Sequence, residues 1–240
     1  DPPASGAWNM AVDEVLLGWA ADVGRSCWRF YRWEEPTLSL GYFQKLDDRT
    51  EHDASLKCPV VRRATGGGAI LHQHELTYGF VLPAKHELAG RREYLYDSIH
   101  NTLIDTLGSL GIQASLCGQA SAGQDASPFL CFQRRSPGDV LVGQTKIAGS
   151  AQRRTKGAVL QHGSVLLERS AVAPELDGLV ELAGSPISAQ DLVDRWLQRL
   201  STKLGLRWQD EPLSEDERRQ AAKLVSEKYG SPRFLRKERR

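Results

Sequence analysis

The segment Arg62-Arg63-Ala64-Thr65-Gly66-Gly67-Gly68 sets a cation three residues ahead of three successive glycines. Glycine carries no Cβ, so such a loop can press its backbone amides against a ligand and hold a carbonyl or phosphate oxygen. Arg63 adds a charge suited to an anionic or polarised group. Three glycines alone equally suit a flexible hairpin turn. The loop is not a phosphate-binding P-loop, because Lys and Ser or Thr do not follow the last glycine, and it lacks the G-x-G-x-x-G spacing of a dinucleotide fold.

A second segment, Lys146-Ile147-Ala148-Gly149-Ser150-Ala151-Gln152, precedes Gln161-His162-Gly163-Ser164. In a regular strand, Lys146, Ala148 and Ser150 share one face. A lysine among small neighbours can reach over a pocket and neutralise developing negative charge. An isolated strand lysine serves as well to guard a sheet edge, and His162 alone reads as a hydrogen-bonded structural histidine. The third candidate is Cys131 in Phe129-Leu130-Cys131-Phe132. A lone cysteine between apolar residues is usually core filler. A nearby lysine changes that, because it stabilises the thiolate and lowers the thiol pKa from about 8.5. Cys27, Cys58 and Cys117 have no comparable setting and read as structural.

Several elements must position these groups. Met10, Val12, Val15, Leu16, Trp19 and Ala20 recur at helical spacing from Asn9 to Ala21, with Asn9 as the expected cap. Residues 27–31 and 37–40 read as strands separated by Glu35-Pro36. Residues 59–63 and 75–81 read as strands flanking the glycine loop in a hairpin-like arrangement. Tyr94, Ile99, Leu103, Leu107 and Leu110 trace a helix over 91–110, with Gly111 as its stop. Residues 118–127 read as a loop that delivers the chain to Pro128-Phe129-Leu130-Cys131-Phe132. Further strands are expected at 139–142, 146–152 and 158–167, then two helices opened by Ser188 with Asp191 and by Ser214 with Glu217, and closed near Gly205 and Gly230. Strands and helices do not alternate as a doubly wound sheet requires, so the fold class is α+β with a mixed, largely antiparallel sheet flanked by helices.

At 240 residues, with 40% apolar residues, the chain can bury one large core. Thirty-one basic and thirty acidic residues leave a net charge of +1, which argues against a dedicated nucleic-acid binder and makes any anion site local. No run approaches the roughly 18 apolar residues of a membrane span. The four cysteines form no C-x-x-C pair, which excludes a zinc ribbon and fits a reducing cytoplasm. No metal site is expected. The sequence begins at Asp1, so targeting cannot be read at the N-terminus. The basic tail, 233–240, reads as a solvated end.

Taken together the motifs resemble the lipoate-protein ligases and octanoyltransferases of the biotin/lipoate ligase superfamily. The likeness runs from Trp8-Asn9-Met10-Ala11-Val12-Asp13-Glu14 through Leu40-Gly41-Tyr42-Phe43-Gln44, Arg62 to His72 and Lys146 to Gln152, to Leu160-Gln161-His162-Gly163-Ser164. The resemblance implies a biotin/lipoate ligase-like catalytic domain with an elongated pocket for an eight-carbon acyl chain. A catalytic acyl-binding core over 1–170 and a C-terminal helical extension over 171–240 are expected. Arg63, Gly66, Gly67 and Gly68 are the implied acyl binders, joined by His72, Gly149, Ser150, Ala151 and His162. Lys146 is implied at the reactive carbonyl.

The cysteine-dependent transferase branch resembles this chain in Leu130-Cys131-Phe132 some fifteen residues before Lys146, and in Gly41-Tyr42-Phe43-Gln44. Its members take octanoate from acyl carrier protein through an enzyme thioester and place it on a lysine of a lipoyl carrier domain. The expected donor is therefore an octanoyl-phosphopantetheine carrier, with no tightly bound cofactor. The expected acceptors are the glycine cleavage H protein or 2-oxoacid dehydrogenase subunits, and neither nucleic acid nor membrane is an expected partner. The expected catalytic pair is Cys131 and Lys146. Arg134, Arg135, Arg153 and Arg154 are candidate docking cations for acidic carriers. Two alternatives stay open: an ATP- and Mg-dependent lipoate ligase forming lipoyl-AMP, and a non-catalytic acyl-binding module. Biotin ligation fits less well, since the glycine loop lacks the G-R-G-R pattern.

Overall fold

The computed structural model describes residues 1–118 and 128–237; the expected loop beyond 118 and the end of the basic tail lie outside the described residues. Helix α1 (Gly6–Asp22) is capped by Ser5, whose hydroxyl accepts from the Trp8 amide at 3.3 Å. Asn9 is thus not the cap. It is fully buried inside the helix, donating to the carbonyls of Ala4 (3.3 Å) and Arg32 (3.1 Å).

Strands β1 (Cys27–Tyr31) and β2 (Thr37–Leu40) fall where aromatic and β-branched residues place them. β3 (Val60–Arg62), β4 (Ile70–His72) and β5 (Glu75–Leu82) follow, then helix α2 (Arg92–Ser109) and β6 (Ala114–Leu116). β7 (Val140–Val142), β8 (Thr145–Thr155) and β9 (Ala158–Leu166) precede α3 (Leu179–Ala183), α4 (Ala189–Leu204), α5 (Glu215–Leu224) and α6 (Pro232–Arg236). Ser188 and Ser214 cap α4 and α5 as expected, and Gly205 closes α4 in the left-handed region at φ 64°. Residues 128–132 make no strand: Leu130 forms one parallel bridge to Ala69, and Cys131–Gln133 turn at once into a 3₁₀ turn.

The large sheet has the order β1-β5-β9-β8-β7-β6, every neighbouring pair antiparallel. One face carries Tyr78, Phe80, Leu82, Val159 and Val165 against Ile99, Leu103 and Leu107 of α2 and Trp196 of α4. The other face packs Val81, Ala158 and Leu160 against α1 and Ala221 of α5. The alternation of these strands produces both surfaces, as period-2 geometry demands.

A small sheet, β3-β2-β4, carries the glycine loop, and here the hairpin expectation fails. β3 lies parallel to β2 and β4 lies antiparallel to it on the other side. The loop therefore crosses over the end of β2 instead of folding back on itself. Gly41 sits beneath the crossing, where a Cβ would stand 1.9 Å from the Gly67 carbonyl oxygen. No other residue fits without moving the loop.

Residues 233–237, the described part of the tail, are not a free solvated end. The buried Arg62 guanidinium donates to the carbonyls of Leu235 (3.0 Å), Gly41 (2.9 Å) and Gln44 (2.7 Å), tying α6 to the chain beside the glycine loop. Among the described residues no helix is long and apolar enough to cross a membrane, no cysteines are paired, and no metal-ligand cluster occurs.

Candidate active site

A cavity of about 170 Å³ lies on the α1 face of the large sheet, beneath the glycine loop. Met10, Tyr31, Trp33, Ile70 and Phe132 supply apolar wall, while Gly66, Gly67, Gly149 and Gly163 keep the backbone bare. Cys131, Lys146, Asp139 and Arg134 share that wall. A narrow, mostly apolar chamber with a few convergent polar groups is the usual form of a small-ligand site.

The glycine loop and the cysteine are built together. The Cys131 amide donates to the Ala69 carbonyl at 2.7 Å, and the Ala69 amide to Phe129 at 3.2 Å. At Gly68 a Cβ would meet the Arg134 guanidinium at 2.9 Å and the Cys131 Cα at 3.3 Å. The third glycine therefore lets the cysteine approach the loop. Arg63, fully enclosed, donates to the carbonyls of Ser39 and Gly68 at 2.8 and 2.7 Å and so pins the loop. Burial pulls its pKa down to about 10, which leaves it charged at neutral pH.

Lys146 reaches the cavity because β8 is irregular. The register runs from Val140 opposite Ala148 to Leu141 opposite Lys146, so β8 holds one extra residue, Ile147. Ala148 packs in the α2-side core, and the Ser150 hydroxyl meets His100 of α2 at 2.9 Å. The expected common face for Lys146, Ala148 and Ser150 is thus overturned: the bulge turns Lys146 to the α1 side, with Gly149 below it. A Cβ on Gly149 would lie 2.9 Å from the Lys146 Cε.

The Lys146 ammonium donates to Asp139 Oδ2 at 2.8 Å, to the Cys131 carbonyl at 3.3 Å and to Cys131 Sγ at 3.6 Å. Burial pushes the Cys131 thiol up, but the charges of Lys146, Arg134 and Arg63 together outweigh it and hold the thiol below its ordinary range. Such a sulfur is set up as a nucleophile, with a proton donor in contact.

The two histidines brace the chamber. His162 Nε2 meets the Thr65 hydroxyl at 2.6 Å and its Nδ1 meets Asp13 Oδ2 at 3.1 Å. Asp13 is fixed in turn by Arg29 (2.9 Å) and the Tyr31 hydroxyl (3.0 Å), so α1 supports the glycine loop through His162. His72 Nε2 meets Ser39 Oγ at 2.6 Å, its Nδ1 meets Glu75, and its ring stacks on Trp33 at 3.8 Å. Burial lowers the pKa of His72.

All nine expected binding residues fall in or against this one site: Gly68 abuts Cys131 and the rest line the cavity. Of the four arginines, Arg134 lines it and Arg153 donates to the Ala64 carbonyl at 2.6 Å; Arg135 and Arg154 bond instead to Gln144 and to the Ala89 carbonyl. Sequence reasoning assigned no role to Asp13, Thr65, His100 or Asp139. Asp13 lies in the quoted Trp8 to Glu14 motif and was within reach. His100 had no signal beyond a polar residue inside a helical stripe.

Three comparisons bear on this arrangement. The model of the lipoyl protein ligase A/B catalytic domain matches residues 5–199. An octanoyltransferase LipM of Carboxydothermus hydrogenoformans is 32% identical over 96% of this chain and 94% of its own length. Another, from Oceanobacillus iheyensis, is 38% identical over 69% of this chain, a match that spans 61% of that relative. Among solved structures, a bi-partite lipoate protein ligase from Thermoplasma acidophilum, described together with its E2 lipoyl domain, superposes with a TM-score of 0.71 over 100% of this chain and 96% of that one. At 18% identity that likeness concerns the fold.

Proposed function

The chain belongs to the lipoyl protein ligase A/B catalytic-domain family, and from that premise we propose that it is a protein octanoyltransferase of protein lipoylation working through a thioester on Cys131. The observation that carries the covalent step is the contact of Cys131 Sγ with the Lys146 ammonium at 3.6 Å inside the glycine-roofed cavity.

The Cys131 thiolate attacks the carbonyl of octanoyl-phosphopantetheine on acyl carrier protein. A carbon–sulfur bond forms to Cys131, the bond to the pantetheine sulfur breaks, and the departing thiolate takes a proton from Lys146. In the second step the neutral amine of the acceptor lysine attacks the acyl-enzyme. The amide bond forms, the Cys131 thiolate leaves, and the nitrogen's surplus proton returns to Lys146. The thiolate and ammonium are regenerated, and no ATP is needed because one thioester is exchanged for another before the more stable amide forms. Amides of the glycine loop with Lys146 hold the oxyanion of each tetrahedral intermediate. Arg63, Gly66, Gly67, Gly68, Gly149 and Ala151 shape the acyl channel, while His72, Ser150 and His162 fix its walls.

The acceptor is a lipoyl carrier domain, and the enzyme acts in the cytoplasm, where its four thiols stay reduced. Arg134 beside Gly68 and Arg135 at the surface suit an acidic carrier. The reading is tested by transfer from octanoyl carrier protein to a lipoyl domain with ATP omitted. Octanoylated acceptor is the expected product. Product that forms only from free acid and ATP would install an adenylating ligase instead.

A further inference from the structure

Lys146 has three N–H donors and three acceptors: Asp139 Oδ2, the Cys131 carbonyl and Cys131 Sγ. Once Cys131 carries an acyl group its negative charge is gone, and Asp139 is left as the anion in contact with that nitrogen. The Asp139 side chain is only 5% exposed. Its carboxylate also accepts from the Ser136 amide at 2.7 Å. The preceding carbonyl, of Gly138, accepts from His100 Nδ1 at 2.6 Å, and Tyr96 fills the space where a Gly138 Cβ would stand. Backbone and α2 thus aim a buried carboxylate at the lysine. A carboxylate that served only to cap the turn would not need to lie against a charged group within a cavity wall.

We propose that Asp139 is a positioning residue for the transfer, holding the Lys146 nitrogen at the sulfur, where it takes the acceptor's proton. The inference rests on the covalent reading above. In the first step Lys146 gives its proton to the departing pantetheine thiolate and becomes neutral. In the second, the acceptor nitrogen bonds to the thioester carbon, the Cys131 carbon–sulfur bond breaks, and the nitrogen's surplus proton passes to Lys146. The Asp139 charge stabilises the ammonium so formed. The charged and titratable groups around Asp139 are Lys146 on β8, Cys131 and Arg134 on the preceding turn, and Tyr96 and His100 on α2. His100 is neutral, since burial draws its pKa down to about 4.

Asp139→Asn keeps the oxygen that caps Ser136 and removes the charge. The test loads parent and variant with octanoyl from the carrier protein, then follows aminolysis of the acyl-enzyme by the lipoyl domain across pH. The expected result is an aminolysis plateau lowered by about tenfold or more, together with a midpoint of the rising limb moved to lower pH. Iodoacetamide alkylation of free Cys131 should shift the same way, because Asp139 opposes its ionisation. A purely structural role would lower the plateau and leave both midpoints in place, and that result overturns the assignment while the covalent reading stands. If Asp139→Asn does not fold, Asp139→Glu keeps the charge and must retain the parent midpoint; a moved midpoint overturns the proposal. Failure of the parent to form any acyl-enzyme overturns both readings at once.

Discussion

Cys131→Ser should abolish octanoyl transfer, with a loss on the order of 10³-fold or more, the scale on which removing a covalent nucleophile acts in other acyl-transfer enzymes. The substitution is close to isosteric, so the bridge from Leu130 to Ala69 and the turn that follows should survive it. What changes is ionisation. The surrounding charges of Lys146, Arg134 and Arg63 hold a thiol below its ordinary range, but they cannot bring a hydroxyl into the neutral range. Steady-state transfer to the lipoyl domain measures the loss, and the thermal midpoint checks the fold. An activity within tenfold of the parent would mean that the sulfur takes no part.

Lys146→Gln should be nearly as damaging, on the order of 10² in rate, because one side chain supplies the oxyanion charge and the returning proton. It carries a distinct signature. Lys146 is the foremost of the charges that lower the Cys131 pKa, so its removal must move the alkylation midpoint of Cys131 to higher pH. The variant also strands Asp139, whose carboxyl is already pushed above the usual range by burial even with Lys146 as partner; without the ammonium it moves further up and stays protonated to higher pH. A rate loss with an unmoved alkylation midpoint would contradict the electrostatic pairing of Lys146 with Cys131.

The elements around the site were largely legible in the sequence, and the reasons differ from residue to residue. β1 and β2 have the expected bounds because aromatic and β-branched runs end at turn formers. Local composition cannot reveal pairing partners, and the glycine loop illustrates the limit. Val60–Arg62 and Glu75–Leu82 are both strands, yet they belong to different sheets, with β4 inserted between them. A second limit is phase. A period-2 reading of β8 puts Lys146 with Ala148, and one bulged residue, invisible in composition, puts it on the opposite face. The nearness of Cys131 to Lys146 came from the family resemblance, not from periodicity. No role was legible for Asp139, whose bonds to Ser136 and Lys146 depend on how the chain turns between them, or for His100, whose contacts with Gly138 and Ser150 join segments far apart in the chain. The helix cap was misplaced by four residues, since Asn9 is polar for a tertiary reason, its bond to the Arg32 carbonyl.

The thioester on Cys131 is the centre of this account, and intact mass spectrometry reads it directly. The parent is mixed with octanoyl carrier protein, without ATP and before any acceptor is added. The predicted spectrum contains one octanoyl adduct that hydroxylamine removes and that peptide mapping assigns to Cys131. An unmodified chain under these conditions, from an enzyme that nevertheless octanoylates the lipoyl domain, would contradict it.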